Sequence, residues 1–407
     1  MNIVEVFMSM DLMSLLQFLG WAVVGLVMIL FALTGGFDFG AGILLPFLGK
    51  TDSERRVVVN TVGPTWDGNQ VWLITAGGAI FAIWPRVYAA SFSGLYFAFF
   101  LVLWALFFRP VAFEYRSKMP NQKWRNFWDW ALFAGSFLPA LLIGVAIGNF
   151  FLGLPFQYDP ITLRFFYGTQ MQDANALLDL FGLLRPFALF CGVLSVVMMI
   201  LQGACYLGLR TQGVVYDRAR KVMKYSAWLL MALFFLGGIW VFFLKGYVWT
   251  SYPGALEANA LHNAMKDPLT NTVTREAGAW LGNYLHYPIL WAFPLLGFLG
   301  SLGVIYFVKS ERMALAFTSS CVALSGIILT AGIALFPFII PSNNFPAQSL
   351  LVWNASSSLR SLLGIEIVGI VMVPVILAYT LFVYKKLWGR DSRMSVERIE
   401  AESKVLY

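Results

Sequence analysis

Apolar runs of about a helix-crossing's length recur along the whole chain, separated by short polar stretches. A helix spanning a bilayer needs roughly 20 such residues. By that criterion nine crossings are predicted, near 15–47, 57–84, 88–108, 127–150, 187–208, 225–244, 286–308, 313–339 and 362–384. The first two are longer than one crossing requires, so they are expected to be tilted, broken or projecting. The longest intervening segments are 151–186 and 246–285, where Pro155, Pro160, Pro253 and Pro268 interrupt any helix. Neither is large enough for a separate soluble domain, and no internal repeat is evident. The predicted fold is an all-α polytopic membrane protein, with a transmembrane domain over 1–388 and a charged tail at 389–407. That tail reads as a short solvated helix or as disordered chain.

Composition agrees. Hydrophobic residues make up 59% of the 407 and charged residues 12%, about half the charge of a soluble domain. The net charge of +7 points to membrane topology rather than nucleic acid. Of the 28 basic residues, 21 fall in alternate connections and the tail: Lys50 to Arg56, Arg109 to Arg125, Arg210 to Lys224, Lys309 and Arg312, and the residues after Tyr384. Cytoplasmic loops carry this excess, so the N-terminus is expected outside and the C-terminus in the cytoplasm, as nine crossings require. Glu5 and Asp11 precede any basic residue, so a cleaved leader is not expected. Cys191, Cys205 and Cys321 all lie in apolar segments and read as free thiols.

The chemistry lies in the polar residues that interrupt the apolar runs. Within Thr65-Trp66-Asp67-Gly68-Asn69-Gln70-Val71-Trp72, an acid sits where ionisable groups are costly and therefore lodged inside the protein. Residues three and four apart share a helix face, which puts Gln70 beside Trp66 and Asp67. Pro64 removes a backbone donor and frees the carbonyl of Asn60. Asp67 is either a protonatable relay or a carboxylate that only fixes helix packing. A second acid, Asp38, lies in Thr34-Gly35-Gly36-Phe37-Asp38-Phe39-Gly40-Ala41-Gly42. Its glycines indicate close helix approach or a local break, and two polar spans are expected to face each other. Asp38 is open to the same two readings.

Other constellations read more plainly. Arg109-Pro110 ends the third predicted crossing as a basic anchor, or, with Glu114, forms an ion-paired mouth that passes protons toward Asp67. Trp124, Trp128 and Trp130 with Arg125 and Asp129 resemble an interfacial aromatic belt. Glu366, near the outer end of the last span, reads as a buried hydrogen-bonded acid. Histidine is scarce: only His262, in a loop, and His286, at a span edge, are present. A haem held by this chain alone is therefore not expected. No phosphate-binding glycine loop, Cys/His metal cluster or serine nucleophile motif appears.

Several of these stretches carry a family likeness. Gly36-Phe37-Asp38-Phe39-Gly40, Glu54-Arg55-Arg56, Trp66-Asp67-Gly68-Asn69-Gln70-Val71-Trp72-Leu73 and Phe107-Phe108-Arg109-Pro110 with Glu114-Tyr115-Arg116 resemble subunit II of cytochrome bd ubiquinol oxidases. So do Arg275-Glu276-Ala277-Gly278-Ala279-Trp280, Pro288-Ile289-Leu290-Trp291-Ala292 and Leu329-Thr330-Ala331-Gly332-Ile333-Ala334. The likeness covers most of the chain; the Trp-Asp-Gly-Asn-Gln block is its specific part.

The resemblance implies a bacterial inner-membrane terminal oxidase that oxidises ubiquinol and reduces oxygen to water. It implies two four-helix bundles plus a peripheral helix. The b-type and d-type haems would lie in subunit I, with none ligated here. Further implied features are a small single-span third subunit, a bound ubiquinone, an apolar oxygen route and contacts with membrane lipids. It also implies a cytoplasmic proton path with Asp67 as its main acid, to which the reading of the residues themselves adds Asp38, Asn69, Gln70, Arg109 and Glu114. Members often carry an acid where this chain has Gly35, so Asp38 is the nearest substitute, on a different helical face. Apart from the likeness, broken glycine-rich spans with midplane acids also describe an ion-coupled secondary transporter. Unequal spans and the missing inverted repeat count against that alternative.

Overall fold

A computed structural model describes residues 11–159, 165–167, 176–250, 272–387 and 392–402. The first helix, α1 (Leu12–Leu48), is capped by Asp11, whose carboxylate accepts from the Ser14 amide at 2.9 Å. It stays helical through its glycines and, at ~1.5 Å per residue, is far longer than the hydrocarbon core is thick. The second predicted crossing is broken. α2 (Asp52–Val62) and α3 (Trp66–Ile83) are separated by Gly63-Pro64-Thr65, where proline cannot continue the ladder. α4 (Pro85–Gly94) and α5 (Tyr96–Tyr115) share the third crossing. Then follow α6 (Gln122–Leu152), the short hairpin β1 (Phe156–Tyr158) and β2 (Phe165–Tyr167), and α7 (Ala176–Leu183).

The second half contains α8 (Pro186–Arg210) and α9 (Val214–Phe243), then the hairpin β3 (Lys245–Trp249) and β4 (Val273–Ala277). After it come α10 (Gly282–His286), α11 (Ala292–Lys309), α12 (Met313–Leu335) and the pair β5 (Phe338–Ile340) and β6 (Leu350–Leu351). The last long helix is α13 (Leu359–Leu387), followed by the short α14 (Val396–Ala401). Among the described residues eight helices are long and apolar enough to cross a membrane; the ninth predicted crossing is the broken α2–α3 pair.

The helices group in fours. α1, α2–α3, α5 and α6 pack together, as do α8, α9, α11 and α12, and the groups meet where α8 lies on α1 and α6. α13 lies at the edge against α1 and α3. The glycines of α1 serve close approach rather than a break. A Cβ on Gly40 would fall 1.9 Å from the Met199 carbonyl oxygen, and one on Gly203 2.4 Å from the Gly40 carbonyl carbon. All three cysteines are free.

Two boundaries differ from the sequence pattern. α9 begins at Val214, eleven residues before its predicted start at 225, because its polar first turns are helical too. There Arg218 binds Glu54 at 2.7 Å and Arg220 binds Glu311 at 2.8 Å. The described part of the tail is docked rather than solvated. The Met394 amide donates to the Arg210 carbonyl and the Gln212 amide to the Met394 carbonyl, while Ile399 is buried.

The start of α2 has a pH signature. Thr51 and Glu54 form a reciprocal capping box, and Glu54 Oε2 also accepts from the Lys50 amide at 2.6 Å and from Arg218. Burial pushes the Glu54 carboxyl up, but the hydrogen bonds from Arg218, Lys50 and Thr51, with the Arg218 charge, together outweigh it and hold it below its ordinary value of 4.5. Because the folded value is depressed, this stabilisation is present above pH 4.5 and is lost as pH falls through the lowered value. Thermal unfolding in detergent is expected to show a Glu54→Gln variant weaker by about 1–2 kcal/mol at neutral pH, with the difference closing in acid.

Candidate functional site

Asp38 is fully buried on the α1 face that meets the broken helix. Asn69, one turn into α3, donates from Nδ2 to Asp38 Oδ2 at 2.7 Å. The two polar spans therefore face each other, as their sequences suggest. The other Asn69 amide atom, Oδ1, accepts from the Tyr384 hydroxyl of α13. Asp38 Oδ1 has no hydrogen-bond partner. It is thus the atom to which a proton can be added without breaking an existing bond.

The charge opposite Asp38 is Arg109. α5 continues through Pro110 to Tyr115, so Arg109 does not end a helix as a surface anchor. It is 1% exposed and lies over the Phe39 ring, with Cζ 4.2 Å from the centroid. Its Nη1 donates to Ser136 Oγ of α6 at 2.9 Å, while Nε and Nη2 have no partner. A buried guanidinium is tolerated only with compensating charge, and Asp38 supplies it.

The break at Pro64 also has a partner, though at a different carbonyl from the one the proline position suggests. The Thr65 amide turns back to the Val62 carbonyl, and the Thr61 carbonyl accepts from the Tyr206 hydroxyl at 2.6 Å. Tyr206 stacks on Phe37, the neighbour of Asp38, with centroids 4.0 Å apart. Neither tyrosine stood out in the sequence, because aromatic residues are common throughout such helices.

Two turns beyond Arg109, in the 3-10 turn that follows α5, Arg116 enters a charged cluster at the basic end of the bundle. It binds Asp129 at 2.5 Å and Asp52 at 2.9 Å; Arg55 binds Asp129 at 2.8 Å, and Arg125 binds Asp52 at 2.6 Å. Asp129 is fully buried. It belongs to this network rather than to an aromatic belt, although Trp130 beside it is exposed.

Asp67 is not inside this chain. The inward face of α3 is Asn69, Trp72, Ala76 and Ile83, whereas Asp67, Gly68, Val71, Ile74 and Phe81 face outward. Gln70 is half-buried, with Nε2 unpartnered. Trp66 stacks on Phe113 of α5 at 5.2 Å, and the residues next to this pair, Asp67 and Glu114, are both exposed. Glu366 is buried as expected, but its Oε1 has no hydrogen-bond partner. Among the described residues no group of three or more His, Cys, Asp or Glu could hold a metal. His286 is exposed at the end of α10, edge-on to Tyr287; His262 lies outside the described residues.

Comparison with known proteins agrees with this architecture. A family model described as cytochrome bd terminal oxidase subunit II matches residues 16–387. The chain is 47% identical over 386 residues to cytochrome bd-I ubiquinol oxidase subunit 2 of Escherichia coli (strain K12), covering 95% of this chain and 97% of that protein. It is 30% identical over 375 residues to cytochrome bd ubiquinol oxidase subunit 2 of Bacillus subtilis (strain 168), covering 91% and 96%. A chain in the structure of bd oxidase from Geobacillus thermodenitrificans superposes with a TM-score of 0.64 at 12% identity, covering 92% of this chain and 99% of that one, a likeness of fold. With a family model spanning nearly all of its helices and close relatives aligned end to end, the chain belongs to the cytochrome bd terminal oxidase subunit II family.

Proposed function

We propose that this chain pairs with a haem-bearing subunit I, which ligates the b-type and d-type haems, and conveys protons to it from the cytoplasm while the complex oxidises ubiquinol and reduces oxygen. Family membership makes it a subunit of a multi-pass, haem-containing oxidoreductase; a transporter reading has no support among its relatives. In the proposed orientation the basic end carrying Arg55, Arg116 and Arg125 is cytoplasmic, the N-terminus is outside, and 389–407 forms the cytoplasmic tail. The observation that carries the reading is the outward face of α3. A carboxylate at Asp67 on an apolar membrane helix is unfavourable against lipid, and partner docking there would remove it from hydrocarbon. α13, whose exposed side chains include Ile367, Val371 and Val375, packs against α3.

Protons would enter at the cluster of Asp52 and Asp129 and at Glu114. They would reach Asp38 past Arg109 and Asn69, and the partner through Asp67 and Gln70. The haems supply the oxygen-reducing chemistry of the complex; this chain supplies carboxylates, a fixed buried cation and a seal against lipid. A ubiquinone, a single-span third subunit and annular lipids complete the proposed assembly. Affinity purification of this chain from its native membrane is expected to bring down a larger subunit and visible haem absorbance. Chain recovered alone, colourless and active, would overturn the reading.

A further inference from the structure

We propose that Tyr384 and Asn69 form a hydrogen-bond switch that reads the protonation state of Asp38 and carries it to α13. This rests on the reading of Asp38 as a proton-carrying group and assigns Tyr384 as its positioning residue.

The inference starts from α13, which buries little else in the bundle. Its buried side chains are Leu362, Glu366 and Val373, yet near its basic end Tyr384 reaches inward to Asn69. A carboxamide has one accepting and one donating end, and nothing intrinsic decides which faces a neighbour. Here the Tyr384 hydroxyl donates to Oδ1 and Nδ2 faces Asp38. That polarity matches an ionised carboxylate, which only accepts. A proton arriving on Oδ1 leaves the Asn69 bond intact; once it is carried on Oδ2, the oxygen that faces Asn69, the carboxylic O–H becomes a donor and is best met by Asn69 Oδ1. The amide then turns over, Nδ2 donates to the Tyr384 oxygen, and the hydroxyl hydrogen rotates away. No bond other than the new O–H is made, and the proton count balances. Phe37, 6.2 Å from the Tyr384 ring, packs beside this site.

The charged and titratable groups facing Asp38 from the packed elements are Arg109 of α5, Tyr206 of α8 and Tyr384 of α13. Arg109 fixes the charge balance and Tyr206 is committed to the Thr61 carbonyl. Tyr384 meets the other end of the amide that touches Asp38. Because α13 otherwise lies at the bundle edge, the switch links an interior proton to the surface proposed to meet the partner.

The test uses the assembled oxidase and infrared difference spectroscopy across a pH series. The protonated-carboxyl band that disappears in Asp38→Asn reports Asp38. In Tyr384→Phe, which keeps the ring, that band is expected to persist to a pH up to about one unit higher, the scale of one neutral hydrogen bond lost from the amide polarity that serves the ionised form. Asn69→Leu, which removes the amide, is expected to shift it in the same direction. An Asp38 band with the wild-type pH profile in both variants would overturn the switch while leaving Asp38 as a proton carrier. If no band in the wild type is lost in Asp38→Asn, Asp38 does not take up protons, and both the switch and that part of the proposed path fall.

Discussion

Replacing Arg109 with leucine is expected to destabilise the subunit by about 3–5 kcal/mol, the usual result of stranding one member of a buried ion pair. Arg109 and Asp38 are both buried, and each is the other's principal opposite charge. Removing the cation leaves a carboxylate surrounded by Phe37, Phe39 and the packed helices, with one hydrogen bond from Asn69. Adding Asp38→Asn to Arg109→Leu removes the stranded charge and is expected to recover much of the loss. Thermal unfolding of the four proteins in a double-mutant cycle measures this coupling. Additive effects would show that Arg109 is held by Phe39 and Ser136 alone.

Asp67→Asn is expected to do the opposite: leave assembly and haem content unchanged and lower quinol-driven oxygen consumption by about a hundredfold, the lower range for a lost proton-transfer group. Asparagine keeps the size and hydrogen bonding of Asp67 but does not titrate. Exposure on the isolated chain means that no internal packing depends on it. Wild-type turnover with full proton coupling would remove Asp67 from the path. Loss of the complex itself would make the residue a docking contact instead.

How far the sequence reaches is clearest at these residues. The helix break was legible because Pro64 has one effect on a backbone ladder, whatever surrounds it. That the two polar spans meet was legible because polar side chains in two apolar spans seek each other; that Asn69 is the residue that meets Asp38 was not. The outward turn of Asp67 was not. Helical periodicity gives faces, and the rule that membrane acids face protein does not say which protein. Arg109 was misread because Arg-Pro at the end of an apolar run matches a common boundary; only packing shows the helix continuing to Tyr115. Asp129 was hidden among tryptophans that do mark an interface, and Tyr384 looked like one more aromatic near a helix end.

The candidate site draws on residues 38, 69, 109 and 384, separated by nearly the whole length of the polypeptide. Until the final span has left the ribosome and been inserted, Asn69 lacks its tyrosine and the basic end lacks the strap formed by Met394 and Ile399. A chain lacking its final span would therefore leave the Asn69 amide oxygen without the phenol that meets it here.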